Sequence, residues 1–327
     1  MTSHAATEKS RSRPAPPLPQ DIRRKHVGDA LFRGITALAA ASVLALAAIY
    51  VVQMALNSWE AVRHFGWSFV VGKTWDPVFE EFGALPVIWG TVISSLLALL
   101  IAVPISLGVS IYLTEIAGRR IRRIIEFLIE ILASIPSVVY GLWGIFVLVP
   151  LVRSIQPHLT SWFGFLPLFQ GPPFGYGMLT AGIILAIMIL PIMTSLTREA
   201  LHAVPNHQRE ASLALASTRW EMIRHAVLPY NKSGIIAAIV LGLGRALGET
   251  MAVTMVIGNQ PTISTSLFMP AQTIASLIAN EFAEASSSLY LSVLIELGLL
   301  LFGITLLLNV GARLLVNRIS HAGGRRR

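Results

Sequence analysis

The sequence is 327 residues long, 54% hydrophobic and 13% charged, with a mean hydropathy of +0.68, whereas a soluble domain carries roughly 25% charged residues. That composition excludes a soluble globular protein and indicates an all-α integral membrane protein. Zero cysteines exclude disulfides, thiolate metal sites and cysteine nucleophiles, and the net charge of +8 raises the question of an anion or nucleic-acid partner.

Residues 1–30 are polar, basic and proline-rich, and Arg13-Pro-Ala-Pro-Pro-Leu-Pro19 reads as a disordered basic tail. Six apolar runs follow within residues 31–318: Phe32 to Leu56, Leu85 to Leu113, Ile124 to Val152, Gly177 to Leu196, Ile235 to Ile257 and Leu289 to Leu315. Each suits a membrane-spanning helix, which needs about 20 apolar residues. The first run exceeds the roughly 7 to 15 residues of a signal-peptide core, so a cleaved leader is not expected. Six spans put both termini on one side. If that side is the cytoplasm, it holds nearly all the Lys and Arg, while the outer loops hold only Arg63, Lys73 and Arg153. Topology therefore explains most of the net charge. Outside, Glu60, Asp76, Glu80, Glu81, Glu281 and Glu284 outnumber the basic residues, so no basic funnel awaits a free anion and no nucleic-acid surface is expected.

Trp59, Trp67 and Trp75 in the first outer loop read as an interfacial belt. Arg119, Arg120, Arg122 and Arg123 anchor the third span, with Glu126 and Glu130 on one solvated or headgroup-level face. Within that span, Pro136 removes a helix hydrogen bond, and Ser134 and Ser137 are placed to satisfy the freed backbone groups. The kink either borders a polar path or serves packing. The second outer loop, Ser154 to Tyr176, contains turn chemistry and no evident catalytic group.

Between the fourth and fifth spans lies the one long polar segment, 198–232. Pro205 suits the start of a short helix and Thr218-Arg-Trp-Glu221 is a capping-box pattern starting a second, which Pro229 is expected to stop. The two make a rigid cytosolic knob. His202, His207 and His225 there have no metal spacing. The fifth span contains Gly242-Leu-Gly-Arg-Ala-Leu-Gly-Glu-Thr250. Each charge at that depth costs about 2.5–3.5 kcal/mol. Spacing of four places Arg245 and Glu249 on one helix face where they can pair, and Gly244-x-x-x-Gly248 allows close helix approach. The pair is either a structural lock between helices, or Arg245 is a bidentate ligand for an oxyanion crossing at mid-membrane and Glu249 holds it when the path is empty. No Walker A pattern occurs, so any ATP hydrolysis must come from a partner. The outer segment before the sixth span is expected to carry a short helix from Ala271 to Asn280, and the sixth span holds one further acid, Glu296. Residues 319–327 read as a second basic tail.

The polar segment resembles the cytoplasmic signature of importer-type ABC permeases, with Glu210, Ala211 and Ser212 where that signature has Glu-Ala-Ala, then Ala216 where it has glycine, Ala226, Leu228 and Pro229. A left-handed turn at the glycine position costs any other residue roughly 1 kcal/mol or more, so the bend at Ala216 is expected to be shallower or strained. Phe82-Gly-Ala-Leu-Pro86, Gly90-Thr91, Pro104-Ile-Ser-Leu-Gly108, Ile111-Tyr-Leu-Thr-Glu115, Ala133-Ser-Ile-Pro-Ser-Val-Val-Tyr-Gly141 and the Gly242 to Thr250 string further resemble the PstC-type permeases of bacterial phosphate importers.

The resemblance implies a type I ABC importer permease in the bacterial inner membrane, with a cytosolic coupling helix contacting the ATPase through Glu210, Ala211, Ser212, Ala216, Arg219, Leu228 and Pro229. It implies a phosphate path past Arg245, Glu249, Thr250, Ser134 and Ser137. The expected partners are a PstA-type permease, two copies of a PstB-type ATPase carrying ATP and magnesium, a PstS-type phosphate-binding protein outside, phosphate and the lipid bilayer. No cofactor, metal or catalytic residue is expected in this chain. A permease for sulfate or molybdate, or an ion-gradient-driven transporter or channel, is the alternative.

Overall fold

Helix follows helix through residues 22–324, which this computed structural model describes. The expected tail residues 1–21 and 325–327 lie outside the described residues. Contacts divide the chain at Gln53. Helix α1 (Ile22–Asn57) begins inside the stretch expected as tail, and its residues 28–50 are exposed on every side, as suits a helix whose solvent is lipid.

The second unit opens with the short α2 (Trp59–Phe65) and α3 (Trp67–Val71) and a hairpin of β1 (Trp75–Asp76) and β2 (Glu81–Phe82). Of the three belt tryptophans, Trp75 is instead tied into the fold, its Nε1 donating to Glu281 at 2.9 Å. Then come α4 (Leu85–Ile111), α5 (Arg119–Ser134), α6 (Ser137–Trp143), α7 (Val149–Phe163), α8 (Met178–His202), α9 (Asn206–Ala214), α10 (Arg219–Met222), α11 (Leu228–Tyr230), α12 (Lys232–Leu247), α13 (Met251–Val256), α14 (Ile274–Glu281) and α15 (Ser288–Gly324). Three single π-turns, Tyr112–Ile116, Gly144–Leu148 and Ile223–Val227, extend or join these helices.

Among the described residues, five stretches are long and apolar enough to cross a membrane: Gly28–Asn57, Leu85–Ile116, Ser137–Phe163, Met178–His202 and Ser288–Leu314. The fifth expected span is absent from them because its helix is interrupted after Leu247. The third also differs from the expected Ile124 to Val152. Helix α5 ends at an extended Ile135-Pro136 step, and the helix beyond it runs on to Phe163. Pro136 has no N–H to continue the ladder and disfavours helical geometry at Ile135.

Small residues decide which helices meet. Helices α4 and α8 lie together because Ala98, Ala102 and Ser94 face Gly182, Ala181 and Ala186, all buried. Gly182 abuts Leu97, and the Ser110 hydroxyl donates across the pair to Thr194 O at 2.9 Å. In a bilayer, where lipid tails are as apolar as leucine, such close backbone approach and interhelical hydrogen bonding hold helices together.

At the opposite end of α4 from the polar knob, Gly90 touches the backbone of the loop before α14. A Cβ there would collide with Gln272 O. One residue on, Thr91 Oγ1 accepts from Ile274 N at 2.9 Å, and Thr273 caps α14 with Ser276. Helix α14 thus starts three residues later than expected from Ala271. Gly90→Ala is expected to cost about 1–3 kcal/mol by overpacking this contact. A lowered melting temperature of the detergent-purified assembly checks it, and an unchanged one would rule out so close an approach.

Candidate functional site

Arg245 stands on the fourth turn of α12, about 20 Å along the helix from Lys232 at 1.5 Å per residue. Its side chain is exposed and makes neither a hydrogen bond nor an ion pair among the described residues. The expected Arg245–Glu249 pair is therefore a correction. The last α12 bond is Gly248 N to Gly244 O at 3.3 Å, and the chain then leaves helical geometry, so residues 245 and 249 do not share a helix face. Glu249 is buried and turned the other way along the chain, its Oε1 accepting from Ala252 N at 3.4 Å at the start of α13. Thr250 occupies the break itself, and its carbonyl accepts from the Thr254 hydroxyl at 2.8 Å. The expected close approach at Gly244 and Gly248 is also absent. Among the described residues, no other helix would stand within 4 Å of a Cβ at either, whereas Gly242 lies against Met193.

The break in the third span faces the break in the fifth. Gly141, one turn past Pro136, packs on Ala252 and Met255 of α13. Ser134 satisfies one freed carbonyl as expected, donating to Ile131 O at 2.8 Å. Ser137 is half-buried and makes no side-chain hydrogen bond. Its expected role falls to Tyr140, whose hydroxyl donates to Leu132 O at 2.8 Å across the Ile135-Pro136 step. Tyr140 is buried. Tyr140→Phe leaves the Leu132 carbonyl with one long bond, from Ile135 N at 3.4 Å, at an expected cost of about 1–2 kcal/mol. Thermal unfolding of the purified assembly measures this, and equal melting temperatures would show that the hydroxyl does not bridge the break.

The knob is two short helices, α9 and the run from α10 to α11, joined by a tight turn. Ala216 has φ +60°, so the bend is left-handed and strained rather than shallow. Pro205 directly precedes α9, and Thr218 caps α10 with a full capping box. Hydrogen bonds from the Thr218 N–H and hydroxyl hold the Glu221 carboxyl below its ordinary range. Pro229 does not stop this helix, as expected from its missing N–H. The π-turn Ile223–Val227 absorbs the mismatch, the helix continues to Tyr230, and the chain bends by 72° into α12. Asn231 fixes that corner by donating to Ala200 O. Glu210, Ala211, Ala216, Arg219 and Pro229 are exposed, and Ser212 and Leu228 half-buried. Large apolar side chains accompany them at the surface, including Leu215, 85% exposed, and Trp220, 61% exposed.

One arginine that the sequence marks only as a positive-side charge holds the knob to the spans. Arg209 Nη2 donates to Glu115 Oε1 at 2.9 Å and to Leu201 O at 2.9 Å; its Nε is 3.2 Å from the same carboxylate oxygen, and Nη1 donates to Val204 O. One guanidinium thereby joins α9, the end of α8 and the π-turn below α4. Beneath it Leu201, Val204, Met222, Ile223 and Val227 form a small core with Ile111 and Ile235. Nearby, Glu126 pairs with Arg198 at 2.7 Å, so that carboxylate is not simply solvated. Glu296 is buried in α15, forms no ion pair with Arg245, and its Oε2 has no hydrogen-bond partner. No cluster of His, Asp and Glu able to hold a metal occurs among the described residues.

The family model described as "Binding-protein-dependent transport system inner membrane component" matches residues 105–321. The chain is 48% identical to the phosphate transport system permease protein PstC of Mesorhizobium japonicum, over 93% of this chain and 94% of that protein. It is 49% identical to the protein of the same name from Pasteurella multocida, over 92% and 95%. Among solved structures, a chain of a bacterial ABC transporter involved in import of the acidic polysaccharide alginate matches with TM-score 0.59 and 18% identity, over 92% of this chain and 98% of that one. A chain of the MetNI methionine ABC transporter in an inward-facing conformation matches with TM-score 0.57 and 18% identity, over 75% and 99%. At that identity the two structures speak to the fold alone, and both share the helical permease architecture.

Proposed function

Because the chain belongs to the family of binding-protein-dependent inner-membrane transport components, and within it to the PstC phosphate permeases, we propose a route by which its residues move phosphate. The chain is a permease subunit of an inner-membrane ABC importer for phosphate and is not itself an enzyme. Its work is binding and motion. The observation that carries the path is the exposed, unpaired guanidinium of Arg245 deep in an apolar span. A charge at that depth is tolerated where it faces a partner or a water-filled path. A planar guanidinium matches an oxyanion bidentately, so Arg245 is the phosphate ligand at mid-membrane. The backbone break at Gly248 to Thr250 borders that path, with Glu249, Thr250, Ser134 and Ser137 around it, since irregular backbone at membrane depth belongs beside a cavity.

The subunit works as part of an ABC importer assembly. In the finer reading a PstA-type permease completes the path, two PstB-type ATPases bind ATP and magnesium, and a PstS-type protein delivers phosphate from outside. Both termini and the knob lie in the cytoplasm. The knob, through Glu210, Ala211, Ser212, Ala216, Arg219, Leu228 and Pro229, receives the motion of the closing ATPase pair. An interrupted span by itself also suits gradient-driven transporters, but the permease relatives match over nine-tenths of the chain.

Phosphate uptake by cells lacking their own high-affinity importer, supplied with this chain and its partners, tests the reading. Uptake that survives an ionophore and requires an intact ATPase supports it. Uptake that collapses with the ion gradients and ignores the ATPase would sink it. Competition with sulfate and molybdate in the same assay reads the oxyanion preference.

A further inference from the structure

The tightest point of the knob is held by hydroxyl groups rather than by packing. Helix α9 has no buried residue, Leu215 projects into solvent, and Ala216 takes a left-handed conformation that side-chain-bearing residues avoid. Two backbone bonds close the turn, Leu215 N to Ser212 O at 3.1 Å and Ala216 N to Leu213 O at 2.9 Å. Across it, Ser217 Oγ donates to Ser212 O at 2.7 Å, and the two serine hydroxyls are 2.8 Å apart. Each hydroxyl has one proton. With the Ser217 proton committed to the carbonyl, Ser212 Oγ donates to Ser217 Oγ, and the two side chains form a closed bracket around residues 213–216. The next residue, Thr218, caps α10, so the bracket fixes the direction in which the second helix leaves the turn.

We propose that Ser212 and Ser217 are positioning residues which lock the left-handed turn at Ala216 and so set the angle of the knob's second helix for the ATPase. The proposal rests on the reading of the knob as the ATPase-coupling element. Two departures from the permease signature are thereby one device. A serine stands where that signature has its second alanine, an alanine stands where it has glycine, and the first compensates the second. A glycine enters the left-handed region freely and has no need of the bracket.

That relation predicts a pattern of rescue that loss of fold alone does not produce. In cells carrying the full set of partner subunits, Ser217→Ala should lower the phosphate carried per ATP hydrolysed about fivefold, the equivalent of one lost hydrogen bond, with assembled complex recovered in normal amount. Ala216→Gly alone is the reference against which the double variant is read. The double variant, Ala216→Gly with Ser217→Ala, should return to within about twofold of it, since glycine relieves the turn that the hydroxyl otherwise holds. Ser217→Thr retains the hydroxyl and should behave like the unaltered chain, which covers the case in which the alanine variant assembles poorly. Full coupling in Ser217→Ala, or a double variant as impaired as the single one, would overturn the bracket. If uptake by the unaltered chain is indifferent to an inactivated ATPase, the reading of the knob fails instead.

Discussion

Arg245→Ala should lower ATP-dependent phosphate uptake about 10- to 100-fold, because a charge-assisted hydrogen bond to an anion contributes about 1.5–3 kcal/mol and each 1.4 kcal/mol is a factor of ten. Assembly should not suffer, since removing a charge from mid-span removes a cost of about 2.5–3.5 kcal/mol rather than a support. The absence of any ion pair to Arg245 points the same way: no carboxylate is left stranded by the change. Arg245→Lys should fall between, because an ammonium keeps the charge and lacks the planar fork. Labelled phosphate uptake, normalised to the amount of complex recovered, separates these outcomes. Uptake within twofold of normal in Arg245→Ala would take the guanidinium off the path.

Arg209→Ala is expected to do the opposite, damaging the assembly first. It strands the Glu115 carboxylate, whose side chain is 7% exposed, and removes donors from Leu201 O and Val204 O. Removing one partner of a buried pair typically costs about 3–5 kcal/mol, and the partial exposure of Arg209 puts this one at the lower end. Segment 206–230 should then lose protection from hydrogen exchange, and ATP hydrolysis should run without phosphate movement. Glu115→Gln should be milder, because an amide oxygen still accepts from the guanidinium. Normal protection together with normal coupling in Arg209→Ala would show that the clamp is dispensable.

How much of this was legible in the sequence follows from the range over which each signal acts. Apolar runs and capping boxes are local, so four of the spans, the knob and the Thr218 cap were readable from their own neighbourhoods, while at Ala216 a shallower and a strained bend both stayed open. The two interruptions were only half readable. Pro136 announces its break, whereas the fifth span fails after Leu247 at a Gly-Glu-Thr step with no proline, so a continuous helix and an i,i+4 ion pair were the natural expectation there. Arg209 and Tyr140 were missed because their partners lie elsewhere. Glu115 is 94 residues from Arg209, and a tyrosine in an apolar run gives no sign that its hydroxyl reaches back across a proline. Glu126 shows the same limit, since a carboxylate beside four arginines reads as solvated until Arg198 arrives from another helix.

The corner at Asn231 has a mechanical meaning. Residues 219–230 form one arm and α12 the other, at 72°, with Asn231 pinned to the end of α8. At 1.5 Å per residue the first arm is about 18 Å long. A swing of about 10° moves the tip of such an arm by about 3 Å, and across an angled joint part of that swing becomes rotation of the other arm about its own axis. If the knob receives the motion of the ATPase pair, as proposed, this joint would work as a crank with Arg245 on its shaft. A push at the knob would then reach mid-membrane as a turn of the guanidinium, without any helix having to slide through the bilayer.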